Sequence, residues 1–410
     1  MATLSGIRRV VSSSWRRPPS VYSTHDGGPR HTTWLEHFFD LVFLVAVGEL
    51  SHLFSADVTP VEFASFVGLF LLFWYTWLGF SYYADEFDTD DLVHRVGMVA
   101  FMFTVIVLSV TIDDVVRGDS APFAMTYLVL RLLLIGMYAR AWMNIPELHT
   151  FLTDLIAVNA VSAGVWAMSL SVAEPTRFVV WALAFVIGIA GTFGIYVGID
   201  RIPTQISHLP ERFVLFTIIV LGEMILVVAV GTADTAWQVA SAFTALDGFL
   251  IAVLLWWIYF TYVDDGAFDH MLRSIRGPWT RARESLFIYL FGHFFVFLGI
   301  VVSGVGIKLA ITAAAAGLQL GGNGRFMLCG GVCLYLLGCM TCDRVTPGSV
   351  HAHVLLARSS VGALIGFLGI SGHTAEPLVL TSLILLSLAG LVAFEAIHPH
   401  AATLVDRAGR

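Results

Sequence analysis

Three stretches of this chain, Phe63–Tyr83, Phe178–Gly198 and Pro377–Phe394, contain no charged side chain. Each is close to the roughly 20 residues that carry a helix across a bilayer. Inside hydrocarbon every backbone N–H and C=O must be satisfied within the protein, which leaves helices or closed barrels as the spanning structures. Runs this long and apolar suit helices. The pattern repeats from about residue 33 to residue 397 and leaves no long polar stretch for a soluble domain. Only 13% of the residues are charged and 57% are hydrophobic, against about 25% charged in a soluble domain. The chain therefore reads as all-α, a polytopic transmembrane helical bundle.

Twelve spans are expected, near 33–53, 61–83, 94–113, 122–142, 152–172 and 177–198, then 211–232, 246–263, 282–308, 326–342, 352–371 and 377–397. Loop charge sets their orientation, because Lys and Arg stay on the cytosolic side. Of the 22 Lys and Arg, only Arg117, Arg177, Lys308 and Arg325 fall on one face, and Arg131 and Arg358 fall within spans. The rest share the opposite face, so both termini are expected in the cytosol. The segment 1–30 carries Arg8, Arg9, Arg16, Arg17 and Arg30 but no apolar h-region or cleavage site, and reads as a basic cytosolic tail rather than a signal peptide. Residues 399–410 read as a short C-terminal tail. No basic stripe interleaved with aromatics occurs, so a nucleic-acid partner is not expected. The expected partners are the lipid bilayer and a small solute or ion.

The two halves look alike. Glu36-His37-Phe38 opens an apolar run that closes on Gly48-Glu49, and Glu211-Arg212-Phe213 opens one that closes on Gly222-Glu223. The next helices both end in aromatics followed by acids, Tyr82-Tyr83-Ala84-Asp85 and Tyr262-Val263-Asp264-Asp265. Six spans return a chain to the side it started from. Residues 31–200 and 201–398 are thus expected to be two parallel six-helix repeats, of the kind found in transporters.

The stretch Glu36-His37-Phe38-Phe39-Asp40-Leu41-Val42-Phe43, with Glu211-Arg212-Phe213 and Ile218-Ile219-Val220-Leu221-Gly222-Glu223, resembles the signature of the bacterial low temperature requirement A (LtrA) family. Leu44 stands where members usually carry Val. The resemblance covers about residues 30–397 and implies a bacterial inner-membrane protein. The family name describes a growth phenotype, so no residue roles follow from it.

Ionisable side chains within the spans carry the functional reading, because an unpaired charge in a bilayer costs a few kcal/mol or more. Glu36 and Asp40 share a helix face, with His37, Arg95 or Arg212 as the expected counter-charge. Glu49 lies thirteen residues beyond Glu36, and Glu223 twelve beyond Glu211. Glu49 and Glu223 are the leading expected proton or ion sites, and Glu211 belongs with them. His293 suits a proton relay; the plainer reading is a hydrogen-bonded packing residue. Arg131 and Arg358 require partners, with Glu49, Asp154 and Glu223 as the acids considered. Arg131 also suits an anionic substrate. The acids Asp85, Glu86, Asp88, Asp90 and Asp91 read as a solvated loop.

Cys329, Cys333, Cys339 and Cys342 sit on one helix and cannot surround a metal. The pairs His351/His353 and His398/His400 are too few for one. No metal or other cofactor is expected, and no Walker A, G-x-S-x-G or H-E-x-x-H motif occurs. Gly191, Gly194 and Gly198, and Gly362 and Gly366, mark faces for close helix packing. The function expected is secondary transport, with or without proton coupling, of a small solute or ion. The alternatives are an ion channel and a membrane-embedded enzyme or lipid-handling protein.

Overall fold

A computed structural model describes residues 18–21, 33–53, 59–88, 91–198, 209–233, 235, 237–261, 279–345 and 351–398. The arginines of the basic tail (Arg8, Arg9, Arg16, Arg17 and Arg30), the 265–278 loop with Arg273 and Arg276, Asp90, Asp264, Asp265, His400 and the C-terminal tail lie outside them; so do the side chains of Asp88, Arg281 and Arg283. Twelve long helices are present among the described residues: α1 Trp34–Leu53, α2 Pro60–Glu86, α3 Leu92–Val110, α4 Ala121–Asn144, α5 His149–Ser169 and α6 Thr176–Gly198, then α7 Leu209–Ala233, α8 Val239–Phe260, α9 Trp279–Ala315, α10 Gly322–Val345, α11 Ala352–Ser371 and α12 Pro377–Ile397. A two-residue pairing of β1 (Ser20–Val21) with β2 (Phe87–Asp88) is the sole sheet among them. Eleven of the helices are long and apolar enough to cross a bilayer. The twelfth, α1, has the length but carries Glu36, Asp40 and Glu49 within it.

Their outer faces explain the missing charge. Val179, Leu183 and Val186 of α6 follow helical spacing and are 68%, 54% and 55% exposed. Leu356, Phe367 and Ile370 do the same on α11. Contiguous apolar surface of this kind faces lipid.

The helix ends follow local chemistry. Thr33 and Glu36 form a capping box on α1, the threonine hydroxyl accepting the Glu36 N–H (3.3 Å) and donating to its carboxylate (3.0 Å). On α2 the Thr59 N–H donates to the Glu62 carboxylate (2.7 Å) and the Glu62 N–H to the Thr59 hydroxyl (3.2 Å), the reciprocal form of the box, and Pro60 supplies a first residue that needs no N–H partner. α9 ends where Gly317 adopts φ +66° and Leu318 N–H returns to the Ala313 carbonyl at 2.9 Å.

Two helices depart from the expected bounds for a physical reason. α8 begins at Val239, seven residues before the expected 246, so Asp247 lies two turns inside it rather than at its first turn. Thr381 and Ser382 hydroxyls donate to Asp247 Oδ2 at 2.9 and 2.7 Å and make that carboxylate tolerable. α9 continues past Lys308 to Ala315. The Lys308 stem rests against Gly231, whose missing side chain gives it room.

The chain divides into two compact units, Met1–Glu49 with Leu72–Arg212, and Leu50–Leu71 with Phe213–Arg410. The first is built around aromatic layers. Phe39 stacks on Phe80 at 4.1 Å between ring centroids, and Tyr127 meets Trp166 at 4.3 Å. Asp91 caps α3 through the His94 N–H (2.9 Å) and takes an ion pair from Arg140 of α4 (2.6 Å). Glu174 accepts from the Ser120 N–H (2.8 Å) and the Ser120 hydroxyl. The Ser120 hydroxyl above all, with the Ser120 N–H and the nearby Arg177, holds its carboxyl below the usual glutamate range against the opposing effect of burial. The tie is therefore complete above the ordinary glutamate range and weakens as pH falls through the lowered value.

In the second unit α9 and α10 run antiparallel at backbone contact. A Cβ on Gly299 would lie 2.4 Å from Tyr335 N, one on Gly306 2.3 Å from Leu328 N, one on Gly331 2.3 Å from Ser303 N, and one on Gly338 2.6 Å from Val296 N. Gly292, Gly299 and Gly306 recur every seven residues, as do Gly331 and Gly338, so one helix face is kept bare. The expected small-residue faces are looser. Gly191 would meet Val158 at 2.6 Å, but Gly362 and Gly366 have only ordinary contacts at 3.9 and 3.8 Å, and Gly194 has none within 4 Å.

Candidate functional site

Two of the buried charged groups of the first unit are centred on an arginine. Asp40 lies one turn after Glu36 on α1, 1% exposed, and Arg212, also 1% exposed, meets it. Asp40 Oδ1 accepts from Arg212 Nη2 at 2.7 Å and from Trp77 Nε1 at 2.8 Å. The pair is single-pointed. Asp40 Oδ2 and Arg212 Nε and Nη1 are buried without a hydrogen-bond partner among the described residues. The guanidinium also lies 5.6 Å from the Phe39 ring and 5.9 Å from the Trp77 ring, within cation–π range. Of the three counter-charges considered from sequence, Arg212 is the one bonded to Asp40. Glu36 is buried beside it, held by its capping box, while Glu211 is exposed at the first turn of α7.

Arg131 is the second group. It is 2% exposed in the middle of α4. Its Nη2 donates to Asn159 Oδ1 at 2.5 Å and to the Tyr75 hydroxyl at 3.4 Å, and its guanidinium carbon lies 4.8 Å from the Tyr75 ring centroid. Asn159 is oriented for this, because its Nδ2 donates to the Leu155 carbonyl at 2.8 Å. No carboxylate among the described residues pairs with Arg131, neither Glu49, Asp154 nor Glu223. Its Nε is buried and unpartnered.

The second unit holds Glu223, 4% exposed within α7, with no hydrogen bond or ion pair to any described residue. Glu49, its expected counterpart, is exposed, so the matching sequence positions have different surroundings. His293 is 2% exposed and occupied on both ring nitrogens. Nδ1 lies 2.9 Å from the Tyr289 carbonyl, which only accepts, so Nδ1 carries the proton. Nε2 then accepts from the Tyr259 hydroxyl at 2.9 Å. Cys342 Sγ sits 3.3 Å from Nδ1, but that nitrogen has no lone pair free to take a thiol proton. Arg358 is bound by Asp343 at 2.5 Å and by Glu395 at 2.7 and 3.3 Å, again not by the acids considered from sequence. His353 stacks on His351 at 5.3 Å and meets His398 at a tilt at 5.2 Å, yet no three ligating side chains among the described residues are set to hold a metal.

Of the acids expected in a solvated loop, Asp85 and Glu86 belong to the end of α2 and Asp91 caps α3, and these three are not solvated. Asp85, Glu86 and Asp91 are all buried, and Glu86 accepts from the Tyr196 hydroxyl at 2.8 Å. Sequence reasoning missed Trp77, Tyr75 and Asn159 as partners of buried charge and Asp247 as a buried carboxylate. An Asn or Asp well inside an apolar run was the available signal for the last two.

The family model described as bacterial low temperature requirement A protein (LtrA) matches residues 31–394. An uncharacterized protein of Rhizobium meliloti (strain 1021) is 28% identical over 349 residues, covering 79% of this chain and 83% of that protein. No solved structure matches the chain.

Proposed function

Because this chain belongs to the bacterial low temperature requirement A family and is a multi-pass membrane protein, we propose that it is a secondary transporter coupling proton movement to passage of a small solute or ion. In this reading it sits in the bacterial inner membrane with both termini cytosolic, and residues 31–200 and 201–398 act as parallel halves. The observation that carries it is Glu223. A carboxylate buried in an apolar span without a counter-charge must be neutralised, by a proton or by a cation. A group that is neutralised when enclosed and ionised when open to water is what coupled exchange requires.

The half-satisfied Asp40–Arg212 pair supports the same reading. Its free oxygen and free nitrogens allow the pair to exchange partners without leaving the interior.

The test is solid-supported-membrane electrophysiology on protein in proteoliposomes, with inorganic ions, organic anions and amino acids applied at two pH values. A solute-dependent current is expected in the wild type, reduced at least tenfold in Glu223→Gln at equal insertion. A current unchanged by that substitution removes Glu223 from the account. Neither current nor tracer flux across the panel, in folded protein, removes transport.

A further inference from the structure

We propose that Arg131 is the centre of a binding site for a small monovalent anion. The site lies wholly in the first unit and is independent of the transport reading, since it is tested by binding rather than flux.

A guanidinium brings one fixed positive charge and five N–H donors into an apolar helix layer. Burial of a lone charge is costly unless an opposite charge joins it. The protein supplies dipoles but no anion among the described residues. Asn159 Oδ1, the Tyr75 hydroxyl and the Tyr75 ring all address one side of the cation. Both polar contacts fall on Nη2, and the buried Nε is left without an acceptor. Arg212 and Arg358, the other deeply buried arginines, each hold a carboxylate, which marks Arg131 as the exception.

The surroundings suit an anion. Tyr127 and Tyr138 are four residues before and seven after Arg131, on the same face of α4, and both interact electrostatically with it. On α6, Gly188 backs the site: a Cβ there would lie 2.9 Å from the Tyr75 hydroxyl, 3.2 Å from Ser162 Oγ and 3.6 Å from Arg131 Nη2. The absence of a side chain at 188 thus lets α6 approach the cation closely, and the Tyr75 hydroxyl, which accepts from Arg131, keeps its own proton to donate to an anion. One unbalanced positive charge is neutralised by one negative charge, so a monoanion fits better than a dianion. A small one fits better than a large one, because the site is enclosed by α2, α4, α5 and α6.

Chloride, nitrate and acetate are the probes, titrated against the purified full chain in detergent at constant ionic strength, with gluconate as the bulky balance anion. The midpoint of thermal unfolding reads binding, since a ligand held only by the folded state raises it. At least one of the three is expected to raise the wild-type midpoint in a saturable way. Arg131→Gln is expected to abolish the response while remaining folded, because it removes the charge but keeps hydrogen-bonding capacity. Arg131→Lys, which keeps the charge but not the planar fork, is expected to weaken the apparent affinity at least tenfold and serves as the test if the glutamine variant does not fold. A wild-type midpoint indifferent to all three anions overturns the proposal. So does a response that survives unchanged in Arg131→Gln or Arg131→Lys.

Discussion

Asp40→Ala is expected to destabilise the folded chain by about 3–5 kcal/mol, the cost of leaving a buried charge without its partner. Arg212 would keep its charge at 1% exposure and lose the oxygen it shares with Trp77. The loss is read as a lower temperature at which the detergent-solubilised chain disappears from its size-exclusion peak. Two further variants separate charge from packing. Asp40→Asn keeps an acceptor for Trp77 and should cost less than the alanine. The double change Asp40→Leu/Arg212→Met removes both charges at similar volume and should recover most of the stability, because a buried pair seldom outperforms apolar packing. If the double variant is as unstable as Asp40→Ala, the lost charge partner is not the cause.

Gly299→Val is expected to prevent the chain from accumulating in the membrane in folded form. Overpacking a core costs about 1–3 kcal/mol when neighbouring side chains can turn aside. Here the obstacle is the α10 backbone, 2.4 Å from the first added carbon, so the two helices must separate along the whole glycine face. Gly331→Val meets the Ser303 backbone at 2.3 Å and should fail in the same way. Gly362→Ala is the control. It adds a carbon at ordinary contact distance from Leu336, 3.9 Å, and gains up to about 1 kcal/mol of helix propensity. Equal expression of Gly299→Val and Gly362→Ala would contradict the close α9–α10 packing.

What the sequence makes legible here is set by the range of each interaction. Charge-free runs of helix length are local, and they place the helices with shifts of a few residues. Counting the few cations available narrows the partner of Asp40 to His37, Arg95 or Arg212, and only the fold selects Arg212. By contrast, Arg358 takes Asp343 and Glu395 from neighbouring helices, and nothing local distinguishes them from Glu49, Asp154 or Glu223. Glu49 and Glu223 share a motif but not an environment, because burial depends on which helices pack against that turn. The seven-residue glycine spacing on α9 is visible in the chain, but its meaning depends on α10 presenting the matching bare face. His293 is an apolar-helix histidine by sequence. Only the Tyr289 carbonyl and the Tyr259 hydroxyl reveal that both its nitrogens are in use.

The measurement that tests the central claim most directly is solute-driven proton movement into proteoliposomes loaded with a pH-sensitive dye, comparing the wild type with Glu223→Gln. The account predicts that at least one ion, organic anion or amino acid shifts the internal pH through the wild type, and that the glutamine variant, inserted to the same level, shifts it at least tenfold more slowly. Solute uptake through the wild type with no accompanying pH change, or an equal pH change in both, would contradict it.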